Sequence, residues 1–94
     1  MAETVRDNRA EHRFELDVAG ELAVAYYGAD PAAPGVIVFT HTEVPQALSG
    51  RGVASRLIGG ALEQVRGRGL KVAAKCPFVS AYLGKHPEFS DLIA

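Results

Sequence analysis

Two places in this chain carry side chains able to do covalent or proton-transfer chemistry. His41, Thr42 and Glu43 form one polar, titratable run, and Cys76 is the only cysteine. Histidine titrates near neutrality and suits general base work. A thiol becomes a nucleophile as its thiolate, and a neighbouring imidazole can activate it. Between the two places lies Ser49-Gly50-Arg51-Gly52, leading into a helical pattern. Unpaired backbone N–H groups and the helix dipole favour a phosphate at such a point, and small residues let it approach the backbone. Arg51 would add a charge-assisted contact to such a phosphate. Plainer readings stand beside these. Cys76 also fits a small buried apolar residue, His41 a strand histidine satisfied by a carbonyl, Glu43 a strand-end carboxylate, and the glycine run a turn without a ligand.

Positioning these groups takes a strand, a turn, a helix and a second strand. Val36-Ile37-Val38-Phe39 is β-branched and aromatic and carries no charge, as in a central strand covered on both faces. That strand is expected from Val36 to about Glu43, with Val44-Pro45 ending it. The two-residue period puts His41 and Glu43 on the face of Ile37 and Phe39. The helix starts near Gly50. Val53, Leu57, Ile58, Ala61, Leu62 and Val65 form its apolar stripe, and Gly67 and Gly69 offer stops. Gly59-Gly60 inside it costs roughly 1 kcal/mol each relative to Ala, which close approach to a sheet would offset. Leu70, Val72 and Ala74 then alternate with Lys71, Ala73 and Lys75, and Cys76 ends this strand on the Leu70 face. The result is a βαβ unit with a right-handed parallel crossover. Ligands of such units bind outside the carboxyl ends of the strands, where His41, Thr42, Glu43 and Cys76 gather.

Upstream, Phe14, Leu16 and Val18 alternate with Arg13, Glu15 and Asp17. Ala19-Gly20 turns the chain, and Leu22, Val24 and Tyr26 continue it, so residues 12–28 read as a hairpin. Turn formers from Gly28 to Gly35 make the next connection. Residues 1–10 are polar and unpatterned and predict a frayed, disordered terminus. Downstream, Pro77 opens a short helix supported by the pairs Phe78/Tyr82 and Val79/Leu83 and ended by Gly84. The expected fold is α+β, a single domain over residues 1–94. N-terminal antiparallel strands come first, then the βαβ crossover and a short C-terminal helix.

Charged residues are 22% and the formal net charge is -1, which argues against a nucleic-acid binder. Positive charge is concentrated at Arg51, Arg56, Arg66 and Arg68, enough for a small anion. No apolar run approaches the length of a membrane span. With one cysteine and no signal-like segment after Met1, the expectation is a cytoplasmic protein whose fold needs no disulfide. The loop is neither G-x-x-x-x-G-K-[ST] nor G-x-G-x-x-G, which sets nucleotide and dinucleotide fingerprints aside.

The run Gly50-Arg51-Gly52-Val53-Ala54-Ser55-Arg56-Leu57 resembles the acetyl-CoA pyrophosphate loop of the GNAT N-acetyltransferase superfamily. That loop reads [QR]-x-x-G-x-[GA] before an aliphatic helix. Gly52 and Ala54 match its last two positions, while Ser49 stands at the Gln/Arg position. Glu43-Val44-Pro45, Lys75-Cys76-Pro77-Phe78-Val79 and Lys85-His86-Pro87-Glu88-Phe89 extend the resemblance to the minimal GNAT-like proteins. These are the YidJ-type and N-acetyltransferase domain-containing protein 1 groups. The resemblance spans about residues 12–93.

It implies a compact GNAT-like fold that binds acetyl-CoA, with no metal, through Ser49, Gly50, Arg51, Gly52, Val53, Ala54 and Ser55. It also implies that His41 and Cys76 are the active-site pair, with Glu43 a further candidate base. A backbone N–H on a splayed strand would polarise the thioester carbonyl. Acetyl would pass to an unidentified amine, a small molecule or a protein lysine, either directly or through an acetyl-cysteine. The chain has no room for two helices between its first strands, so the acceptor side is expected to be open. The alternatives are a CoA-sensing or protein-binding module without turnover and thioester hydrolysis at Cys76. The sequence assigns no oligomeric state.

Overall fold

Alternation in the N-terminal half yields a meander. The computed structural model describes residues 4–94. In it β2 (Arg13–Val18) pairs antiparallel with β3 (Glu21–Ala29), and β3 with β4 (Val36–Glu43). The helical stripe makes α1 (Val53–Gly67), which returns the chain to β5 (Lys71–Ala74), parallel to β4. A second helix, α2 (Pro77–Lys85), begins with proline and leads to a 3₁₀ turn at Pro87–Leu92. The chain closes with Ile93 bridged to Val72 beside β5. Phe14, Leu16 and Phe39 of the sheet meet Leu57, Ile58 and Leu62 of α1, each at most 1% exposed. Burying each such side chain contributes roughly 1.5–3 kcal/mol.

Gly59-Gly60 faces something other than the expected sheet. A Cβ on Gly59 would come within 2.8 Å of the Tyr82 hydroxyl of α2, and one on Gly60 would overlap the Val5 side chain. The glycines admit the second helix and the N-terminal segment.

The frayed terminus predicted for residues 1–10 is ordered from Arg6. β1 (Arg6–Asn8) pairs antiparallel with β2 at the sheet edge, and a 3₁₀ turn follows at Arg9–Glu11. Residues 1–3 of that expectation lie outside the described residues. What orders β1 is polar. The Asp7 carboxylate, almost fully buried, accepts from Tyr27 Oη at 2.5 Å and from Arg68 Nη1 at 2.6 Å. Glu15, also buried, accepts from Arg13 Nε at 2.7 Å and Asn8 Nδ2 at 2.9 Å. Gln64 Nε2 donates to the Val5 carbonyl at 2.6 Å. Hydropathy patterning carries no signal for such an edge strand.

These carboxylates give the fold an acid-sensitive limb. Burial works to raise Asp7, but bonds from Tyr27 and Arg68 outweigh it and hold the group below its ordinary 3.8. Arg13 and Asn8 hold Glu15 below 4.5. The unfolded chain therefore takes up these protons first as pH falls. Stability should be level above about pH 5 and decline below about 4.5, as pH passes through the lowered values. Asp7→Asn should cost about 2 kcal/mol near neutrality by removing the buried charge that Tyr27 and Arg68 donate to. Paired with Glu15→Gln it should flatten the acid limb of urea midpoints measured against pH. An acid limb unchanged in the double variant would contradict this.

One irregularity sets up the functional end of the sheet. Tyr27 pairs with Phe39, yet its neighbour Tyr26 pairs with His41. Thr40 is thus the extra residue of a β-bulge in β4, its Oγ1 3.4 Å from the Tyr26 carbonyl. At the same level β4 and β5 part. Their register ends at Phe39 opposite Ala74, where the Phe39 carbonyl accepts from both Lys75 N at 2.9 Å and Cys76 N at 3.1 Å.

Candidate active site

The bulge turns the end of β4 over. Without it His41 and Glu43 would share the Phe39 face, as strict alternation predicts. With it they share the face of Tyr26 and Val24, across the sheet from α1. His41 Nε2 lies 3.1 Å from Glu43 Oε2, and its ring stacks on Tyr26 with centroids 6.3 Å apart and planes 18° apart. Both side chains are more than half exposed. His41 and Glu43 form a carboxylate–imidazole pair on the open side of the sheet, and the carboxylate orients the ring.

Thr42 turns inward in exchange. It pairs with Ala25, a fully buried residue of the helix-side face. Its Oγ1 lies 3.4 Å from Cys76 Sγ. The inward partner of the cysteine is therefore Thr42, while His41 projects from the opposite face of the same strand. Cys76 also sits differently from the strand-end position predicted for it. β5 stops at Ala74, and Cys76 is the residue before α2, with Pro77 as the first helical residue. Its thiol is buried. Burial raises a thiol, but hydrogen bonds from Thr42 Oγ1 and the backbones of Val79, Phe78 and Thr42 outweigh it and hold the group below its ordinary 9.0. Lowering of this kind raises the fraction of thiolate at a given pH.

The predicted anion loop forms a cradle. α1 begins at Val53, later than the predicted start, because a 3₁₀ turn at Gln46–Leu48 and a turn at 49–52 intervene. Gly50 and Gly52 have φ of 79° and 69°, a left-handed conformation that residues with a Cβ rarely adopt. Among the described residues no side chain caps α1, so its first amides face outward. A depression of about 250 Å³ lies over them, lined by Val44, Ser49, Gly50, Gly52, Val53, Ala54 and Ser55, with Leu48 and Phe78 as apolar walls. Of the predicted run only Arg51 stays off this lining, and its carbonyl accepts from Arg56 Nη1 at 2.7 Å. Phe78, expected only to support the short helix through its pair with Tyr82, is 38% exposed and links the cradle to the cysteine, since it lines the one and its backbone bonds the other. The signal that could have found it is its place two residues after Cys76 at a helix start.

A family model described as GCN5-related N-acetyl-transferase matches residues 13–92. The chain belongs to the GCN5-related N-acetyltransferase family. Protein NATD1 of Mus musculus is 31% identical over 85 residues, spanning 88% of this chain and 76% of the relative. Protein NATD1 of Homo sapiens has the same identity over 85 residues and is covered over 74% of its length. A solution NMR structure of a GCN5-like protein from Staphylococcus aureus matches with a TM-score of 0.72 at 26% identity. The match covers 96% of this chain and 86% of the other. The α+β fold and the minimal GNAT-like resemblance are thereby established, and with them acyltransferase activity as the general class. Among the described residues no helix is long and apolar enough to cross a membrane, and no cluster of three or more His, Cys, Asp or Glu is placed to hold a metal ion.

Proposed function

We propose that this GNAT domain binds acetyl-CoA and transfers its acetyl group to an amine. The observation that carries this is the cradle. Two left-handed glycines precede a helix with no side-chain cap among the described residues, and the cavity above it is walled by Phe78, whose backbone bonds the cysteine. Residues of this kind fit a pyrophosphate. Helix-start amides supply donors, glycines let the phosphate approach, and the dipole favours negative charge. Ser49, Gly50, Gly52, Val53, Ala54 and Ser55 would hold it. Phe78 and Val44 offer apolar surface for the rest of the carrier. When bound, acetyl-CoA supplies an activated acetyl thioester.

The chain's own groups divide the remaining work between two faces. Cys76 Sγ, held toward its thiolate by uncharged donors, is the nucleophile of a covalent route. His41 Nε2, oriented by Glu43 on the open face, takes the proton of the incoming amine. That amine is a small molecule or a protein lysine. The exposure of His41 and Glu43 on that face supports an acceptor approaching from that side.

Calorimetric titration with acetyl-CoA tests the cofactor. Saturable binding that a Gly52→Val substitution removes is the expected result, because the left-handed backbone at Gly52 strains any residue with a Cβ. Undetectable binding by the native protein would overturn the proposal. Binding without acetylation of any amine in a panel of polyamines, amino acids and lysine peptides would leave a CoA-binding module instead.

A further inference from the structure

We infer that Thr42 is the positioning residue of the acyl-transfer site, its hydroxyl holding Cys76 Sγ at 3.4 Å in the place and state from which it reacts. This rests on the reading of Cys76 as the group that takes up acetyl. Two features of the fold aim the hydroxyl. The bulge at Thr40 moves Thr42 onto the buried face, opposite Ala25, and the parting of β4 from β5 after Phe39 brings Cys76 beside it at the start of α2.

The chemistry of the pair favours one protonation state. With the sulfur protonated, the pair makes only a weak bond, the S–H donating to the hydroxyl oxygen or the O–H donating to the neutral sulfur. With the sulfur ionised, the threonine O–H donates to an anion, a shorter and roughly twofold stronger bond. The α2 amides act in the same sense. Among the described residues no charged side chain does this work. His41 and Glu43 of β4 project from the other face, and Lys75 alternates away from Cys76 to line the outer surface. Lys85 lies at the far end of α2, and the Arg56 guanidinium bonds the Arg51 carbonyl. The usual imidazole partner of a reactive cysteine is thus replaced by a hydroxyl and the backbones of Val79, Phe78 and Thr42. Valine at this position keeps the β-branched shape and removes the hydroxyl.

Because the chain has one cysteine, its ionisation can be followed by thiolate ultraviolet absorbance, with Cys76→Ser subtracted as the blank. The native midpoint should lie below 9.0. Thr42→Val should raise it by about one unit, leaving roughly tenfold less thiolate at neutral pH. Thr42→Ser should restore the native midpoint. Should Thr42→Val not fold, Thr42→Ala compared with Thr42→Ser isolates the same hydroxyl. In acetyl transfer the pH–rate limb should move with the absorbance midpoint while acetyl-CoA affinity stays native. A midpoint indifferent to loss of the hydroxyl overturns the inference, as does a native midpoint at or above 9.0. The absorbance titration uses no acetyl-CoA. Failure of the acyl-transfer reading would instead appear as native protein that binds no acetyl-CoA, whatever the midpoint.

Discussion

Cys76→Ala should abolish amine acetylation, lowering kcat on the order of a thousandfold, while acetyl-CoA affinity stays within about twofold of native. The asymmetry follows from where the cysteine sits. It lies behind the cradle, bonded to Thr42 and the α2 amides, and is absent from the cradle lining. Removing the sulfur takes away a nucleophile without touching the phosphate donors. Cys76→Ser keeps the side chain's shape but offers a hydroxyl that does not ionise near neutrality, so it should be nearly as inactive. His41→Ala should act differently. It removes a base from the acceptor face and costs about a hundredfold. Mass spectrometry of native protein incubated with acetyl-CoA and no amine should find one acetyl group, on Cys76. If Cys76→Ala and His41→Ala both turn over at the native rate, the active-site assignment fails. If only His41→Ala is impaired, the amine attacks directly and Cys76 is a packing residue.

The elements of this site were legible in the sequence, but their facing was not. The uncharged run Val36–Phe39 and the stripe from Val53 to Val65 each impose one period, and both elements formed where those periods placed them. The glycine turn was legible because left-handed backbone at Gly50 and Gly52 demands glycine. The bulge was invisible for a physical reason. Thr40 is flanked by Phe39 and His41, with neither Gly nor Pro to mark a break, and a bulge is a property of two paired strands rather than of one. Missing it put His41 and Glu43 on the Phe39 face and left Thr42, the residue whose hydroxyl lies beside Cys76 Sγ, unread. The strand at Arg6–Asn8 was hidden in the same way. It is held by Asp7 and Glu15 and their long-range partners Tyr27, Arg68 and Arg13, and no local pattern reports partners that distant.

Ser55→Glu should separate the stability of α1 from its use. Ser55 is the third residue of the helix and lines the cradle. A carboxylate there interacts favourably with the positive end of the helix dipole, worth about 0.3–1 kcal/mol at an exposed position. It can also reach back toward the N-cap amide, which no side chain now serves among the described residues. The variant should therefore unfold at a slightly higher temperature than the native chain. The same charge lies where a pyrophosphate would accept those amides. Repulsion between unit charges about 4 Å apart is worth about 4 kcal/mol at the effective dielectric near a protein surface, and screening reduces it. Acetyl-CoA affinity should fall by about thirtyfold or more, equivalent to about 2 kcal/mol. Part of the loss should return in high salt, since the interaction is screened. Calorimetry at two ionic strengths, with a melting curve on the same sample, reads both effects. A glutamate that stabilises the helix and leaves affinity native would mean the phosphate binds elsewhere. A glutamate that destabilises would mean the helix start is not the uncapped, anion-seeking terminus that Gly50 and Gly52 create.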